Sequence, residues 1–186
     1  MPTNLISITD GQIVLDAKLF YEGLKPAVDV GTSVSRVGGK TQALALREAA
    51  EALRLDYAQF LELEMFTRFG GMPDTRVRHQ LTRGARIRAI FAQPQHAPMR
   101  LADEVALVLA VQSGLLDALV MADVITFRSG LREALDRGAA DVVRSIQDTG
   151  RLDGTRKQEL HGTLQRYIET ITPARPAKAG KTAAPP

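Results

Sequence analysis

The sequence of 186 residues contains no cysteine, so it can close no disulfide and offer no thiolate to a metal. That absence fits a reducing compartment without requiring one. Its three histidines, His79, His96 and His161, stand 17 and 65 residues apart and lack the close pairing of a zinc site, so no metal site is expected. Long apolar runs are missing too. The strongest, Val105 to Val111, falls far short of the roughly 20 residues that a membrane span needs. Met1-Pro2-Thr3-Asn4 places no basic region ahead of an apolar one, which predicts no secretory signal. Acidic residues are absent from residues 173–186, which hold Arg175, Lys178 and Lys181. The formal charge of +3 therefore sits in that stretch, and the rest of the sequence has 21 basic against 21 acidic residues. A neutral folded part gives no electrostatic reason to seek nucleic acid.

What is present changes period from one end to the other. Leu5 to Ile8 and Gln12 to Leu15 are short runs rich in Ile and Val on either side of Asp10-Gly11, and they predict a strand, a turn and a short extension. A helical turn or two over Ala17 to Gly23 should end at that glycine, with Lys25-Pro26 forcing extended backbone through Val30. From Lys40 the spacing becomes helical. Leu44, Ala45, Ala49, Ala52 and Leu53 recur at three and four, and Leu55, Phe60, Leu63 and Phe66 continue after a kink. Gly70-Gly71-Met72-Pro73 breaks the run, and Asp74 suits the cap of a helix reaching about Ala92. Pro94 and Pro98 bracket a loop, after which 101–112, 122–137, 139–149 and 153–171 read as further helices. The expected fold is mainly α: an antiparallel bundle of about six helices, preceded by a strand-bearing piece too short to fold alone. The Pro-, Ala- and Lys-rich residues after Thr172 have little to bury.

Gly38-Gly39-Lys40-Thr41 looks like the end of a phosphate-binding loop, but the first glycine of that motif would fall on Val34, which excludes it. The arginines at 76, 78, 83, 86 and 88 could track a phosphate backbone. However, Val77, Leu81, Ala85, Ile87 and Ile90 form a stripe to bury, which predicts basic residues on a solvated opposite face, and no aromatics are interleaved for base stacking. Gln93-Pro94-Gln95-His96 is a proline-stiffened loop of amides, groups that present both a donor and an acceptor. Arg36, within Ser33-Val34-Ser35-Arg36-Val37-Gly38-Gly39, has no acidic neighbour in sequence, so its planar fork could reach a phosphoryl group outside its own chain.

The stretches Pro2 to Ile13, Leu19-Phe20, Lys25 to Gly31, Ser33 to Gly39, Leu53 to Asp56, Phe69-Gly70 and Gln93-Pro94-Gln95 come in an order and spacing that resemble the alpha subunit of F-type ATP synthases. The resemblance extends up to residue 172. It implies that residues 1–39 are the terminal part of a P-loop-type α/β nucleotide-binding domain, with its last strand and arginine loop. Residues 40–172 would be the carboxy-terminal helical bundle and residues 173–186 a disordered tail.

The resemblance assigns Arg36 the part of an arginine finger, acting in trans on the catalytic site of a neighbouring beta subunit, with Ser7 near the same interface. Lys25, Pro26, Gln93 and Gln95 match positions lining the adenine pocket of the alpha subunit's own, non-catalytic site. ATP or ADP with Mg²⁺ would be bound only by the complete assembly, whose partners are beta subunits, the rotor gamma subunit and other head subunits. Such a protein would meet the membrane only through that complex, peripherally on its cytoplasmic side, in support of ATP turnover coupled to proton or sodium transport. Lacking the P-loop, it is expected to be inactive by itself. Lys25 stands where the family more usually has arginine, which keeps the charge and loses a stacking plane. Lys40-Thr41 likewise replaces a pair of small residues, and both departures suggest a divergent type of the enzyme. The alternative is a truncated, non-catalytic helical interaction module that never enters the enzyme.

Overall fold

The computed structural model describes residues 8–68 and 74–172, so Ser7, the 70–73 break and the basic stretch from 173 lie outside the described residues. The protein is mainly helical there, with one small sheet. In order it runs β1 (Gly11–Gln12), α1 (Ala17–Tyr21), β2 (Val34–Ser35), a 3₁₀ turn (Gly38–Thr41), α2 (Leu44–Ala50) and α3 (Leu53–Arg68). Then follow α4 (Thr75–Phe91), α5 (Leu101–Gln112), α6 (Met121–Gly138), α7 (Ala140–Thr149) and α8 (Gly154–Ile171).

The apolar run around Val105 becomes the axis of the bundle. Nine of the 12 residues of α5 are buried, as expected of a helix apolar on every side, and α2, α4, α6, α7 and α8 all pack around it. Phe127, Leu131 and Leu135 of α6, Val142 and Ile146 of α7, and Leu160 and Leu164 of α8 close the core at their own helical spacing. Acidic caps start two of these helices. Asp74 accepts from the Val77 N–H at 2.8 Å, and Asp153 accepts from the Arg156 N–H at 2.8 Å. The Ala45 N–H donates to the Gly150 carbonyl at 2.9 Å, fastening the start of α2 to the end of α7.

Four details differ from the sequence expectation. The helical run begins at Leu44 rather than Lys40, because Gly38–Thr41 is taken up by the 3₁₀ turn. It is divided at residues 51–52 into two helices, which makes seven in the bundle among the described residues. Its buried stripe in α3 is Leu53, Tyr57 and Phe60, whereas Leu55 and Phe66 are exposed. Arg86 is buried rather than solvated, since it shares with Ile87 and Ile90 the face of α4 that enters the core, and its Nη2 donates to the Leu119 carbonyl at 2.7 Å.

Glycine at 84 is what lets α4 lie against α3: a Cβ there would stand 2.0 Å from Cγ of Phe60. Gly84→Ala is expected to destabilise the protein by about 1–3 kcal/mol, although alanine is the better helix former by roughly 1 kcal/mol. Thermal unfolding of the full-length polypeptide checks the sign. A rise in the midpoint would mean that Phe60 yields freely.

Candidate functional site

The arginine loop is fastened at its base by backbone geometry. β1 and β2 pair antiparallel with Gly11 opposite Ser35 and Gln12 opposite Val34, and the Arg36 N–H extends the ladder to the Asp10 carbonyl at 2.7 Å. Gly11 therefore lies in the ladder instead of a turn. The strands are so close that a Cβ at Gly11 would meet the Val34 carbonyl oxygen at 2.5 Å. Below the ladder, the Ser33 hydroxyl donates to the Asp29 carbonyl at 2.5 Å and accepts from the Val14 N–H at 3.0 Å. The Asp29 carboxylate in turn accepts from the Gly31 N–H at 2.9 Å, the Thr32 N–H at 3.2 Å and the Thr32 hydroxyl at 2.7 Å. Arg36 is exposed at the end of this framework. The segment that resembled a phosphate loop is only the short 3₁₀ turn that follows.

Asp29 gives the framework a pH dependence. The Thr32 hydroxyl bond, followed by the backbone bonds of Thr32 and Gly31, holds its carboxyl below the usual value of 3.8 against the opposing effect of burial. A depressed carboxyl contributes fully above the unfolded value and is lost as pH falls through the lower folded one. Asp29→Ala is expected to speed amide exchange at Gly31 and Thr32 at neutral pH. The parent protein should show the same loosening only below about pH 4. Equal exchange in variant and parent would show that the bonds do not hold the loop.

A cavity of about 320 Å³ lies between this piece and the bundle, lined among others by Leu24, Lys25, Pro26, Tyr57, Arg88 and Phe91. The Lys25–Pro26 peptide is cis. The Gln93 N–H donates to the Lys25 carbonyl at 2.8 Å, so two segments 68 residues apart, both singled out from sequence, meet at this cavity. The Gln93 side-chain amide donates to the Ala97 carbonyl at 3.0 Å, which leaves its own carbonyl oxygen as an acceptor. Gln93 and Gln95 are exposed on the same loop, and both lie outside the cavity wall, as does Arg36.

Three wall residues escaped sequence reasoning. Tyr57 and Phe91 stack edge to face with ring centres 5.7 Å apart, but each reads in sequence as one more apolar helix position. Arg88 is gripped by Glu64 in a fork at 2.9 and 2.7 Å and lies 4.7 Å over the Phe60 ring. Burial opposes its charge, yet the Glu64 bonds raise the guanidinium pKa overall. The only sequence signal for that pairing was the density of arginines in α4. With Arg83 held by Asp56 at 3.2 Å and Asp117 at 3.4 Å, three of these arginines serve the interior instead of a nucleic acid.

Apolar walls, an aromatic pair and a cationic rim suit a flat heterocycle with an anionic extension. Among the described residues no group of three or more His, Asp or Glu side chains could hold a metal ion. Comparison with known proteins gives this geometry its family. Residues 42–167 match the model of the C-terminal domain of the ATP synthase alpha/beta chain, and residues 1–35 match that of the ATP synthase alpha/beta family nucleotide-binding domain.

The chain belongs to the ATP synthase alpha/beta family.

Its relatives in that family are alpha subunits. It is 55% identical to ATP synthase subunit alpha 2 of Gluconobacter oxydans over 169 residues, which is 91% of this chain and 33% of the relative. It is 60% identical to ATP synthase subunit alpha 1 of Paraburkholderia xenovorans over 172 residues, 92% of this chain and 33% of the relative. Against subunit alpha 3 of the same organism the identity is 49% over 174 residues, 94% of this chain and 33% of the relative. This ATP synthase alpha-type chain thus spans about a third of the length of the curated relatives it matches. It carries residues of both family domains.

Proposed function

We propose that the protein works as the carboxy-terminal portion of an ATP synthase alpha subunit in the catalytic head, where Arg36 serves the nucleotide site of an adjoining beta subunit. The reading is supported by one observation: the Gln93 to Lys25 hydrogen bond of 2.8 Å joins these two segments beside an aromatic-walled cavity that Lys25 and Pro26 line. There Lys25 and Pro26 would border the base, whereas Gln93 and Gln95, both outside the cavity wall, would have to turn toward it to meet a nucleotide.

Within the assembly the nucleotide is ATP or ADP with Mg²⁺, and the partners are beta, gamma and the other head subunits, in a machine that couples turnover to ion movement. No helix among the described residues is long and apolar enough to cross a membrane. As part of the head, the protein would attach peripherally, on the cytoplasmic face, through the complex. Exposed Ile13, Leu15, Phe20, Tyr21 and Val34 fit a strand-bearing piece that is to be covered by more protein.

Co-expression with the beta subunit, followed by affinity capture and native mass measurement, tests the assignment. Recovery in a stoichiometric complex is the expected result. A polypeptide that stays alone would support the non-catalytic interaction module instead.

A further inference from the structure

A second cavity, of about 570 Å³, lies beside the loop that follows Gln93, with Pro94, His96, Pro98 and Met99 on one side and Arg128 and Arg132 of α6 on the other. Its electrostatics do not balance. The carboxylate lining it, Asp103, is already fully engaged: Arg100 bonds Oδ1 at 2.8 Å through Nη2 and both oxygens through Nε, and Arg132 Nε bonds Oδ2 at 3.0 Å. Arg128 has no such counterpart. Its Nε is buried with no hydrogen-bond partner among the described residues, although a buried guanidinium N–H ordinarily finds one. Burial, with no carboxylate opposing it, pulls the guanidinium below its ordinary pKa. Arg132 engages Asp103 through Nε while its side chain remains 53% exposed, which keeps the rest of its fork accessible. His96, held at φ 58, adds an imidazole to the same wall.

We infer that this cavity is a binding site for an oxyanion, a phosphate or carboxylate group, taken by the Arg128 guanidinium with Arg132 and His96 beside it. A planar arginine fork donates to two oxygens of such a group at once, and a bound anion would supply the counter-charge that Arg128 lacks. The apolar wall of Pro94, Pro98, Met99 and Leu131 further suits an anion attached to a small apolar body. The site lies apart from the cavity at Lys25 and does not depend on the function proposed above.

The test is a titration of the full-length polypeptide with inorganic phosphate, then with acetate, each against chloride at matched ionic strength, read by the ¹⁵N-resolved Nε–H signal of Arg128. A saturable shift in the parent protein is expected. The dissociation constant, read in parent and variants alike by the His96 ring signal, should rise about tenfold or more in Arg128→Met, and by less in Arg128→Lys, which keeps charge but not the fork. Saturation by phosphate alone would assign the site to phosphoryl groups, and saturation by acetate as well would assign it to oxyanions generally. Circular dichroism confirms that each variant is folded, and Arg128→Lys carries the test if Arg128→Met is not. An absence of saturation with either anion would overturn the proposal, and so would a His96 shift that survives unchanged in a folded Arg128→Met variant.

Discussion

Arg36→Ala, introduced into the complete alpha subunit and assembled with its partner subunits, is expected to lower steady multisite ATP hydrolysis by on the order of 10³ to 10⁵, with nucleotide binding largely preserved. The size of the effect follows from where charge changes. As a phosphoryl group transfers, negative charge spreads over its oxygens, and a fixed guanidinium beside them stabilises that state more than the bound substrate. Such a group needs two properties. It must be held so that little reorganisation occurs at the moment of reaction, and it must be accessible from outside its own polypeptide.

The backbone meets part of this: the Arg36 N–H is tied to Asp10, the preceding residues are cross-linked through Ser33 and Asp29, and the residue itself is exposed. Arg36→Lys should recover only part of the rate, because a point charge replaces a bidentate fork. Asp29→Ala, which alters the base of the loop without touching its arginine, should give a smaller loss. Unchanged multisite hydrolysis in Arg36→Ala would remove the finger role, while a loss of assembly would show the residue to be structural.

The legible parts of this protein were those in which a local rule and the tertiary demand agree. Asp74 reads in sequence as a helix cap and is one. The run around Val105 is apolar on all sides and is the buried axis. Rules that depend on a partner remote in sequence were misread. Arg86 belongs in sequence to a row of surface cations, but a carbonyl 33 residues away makes its burial possible. Leu55 has the composition of a core residue, yet Leu53, Tyr57 and Phe60 fill the available face of α3. For the candidate site, Lys25 and Gln93 could be named from their resemblance to a family pattern, whereas their junction is a backbone bond that no side-chain pattern encodes. Tyr57 and Phe91 look like core from sequence because an aromatic residue at helical spacing serves a core and a cavity wall equally well.

Loss of the Asp103 carboxylate is expected to lower the stability of the bundle. Asp103 is 3% exposed at the first turn of the buried axis α5, where the partial positive charge of the helix terminus favours an anion. Arg100 grips it and reaches on to Asp136 at 2.8 Å, while Arg132 closes the other side, so one carboxylate ties α5 to α6. Removing it in Asp103→Ala leaves Arg132 short of its counter-charge and Arg100 with Asp136 alone; since both guanidinium groups reach solvent, the cost is about 1.5–3 kcal/mol. At roughly 2–4 °C per kcal/mol for a protein of this size, the unfolding midpoint should fall by about 3–12 °C. Arg132→Ala should cost much less, because that side chain is 53% exposed and its charge is screened by water.

The pH dependence separates charge from packing. Burial alone would raise the Asp103 pKa, but the bonds from Arg100 and Arg132 outweigh it and hold the carboxyl below its usual value of 3.8. Its contribution is therefore complete above that value and disappears as pH falls through the lower folded pKa, so the gap between parent and Asp103→Asn should narrow in acid. Glu104 gives an independent readout. Burial, and then the Asp103 charge, raise its carboxyl pKa, so neutralising Asp103 should let that value drop. A gap that stays constant into acid, with Glu104 unmoved, would mean that Asp103 stabilises α5 by shape and not by charge.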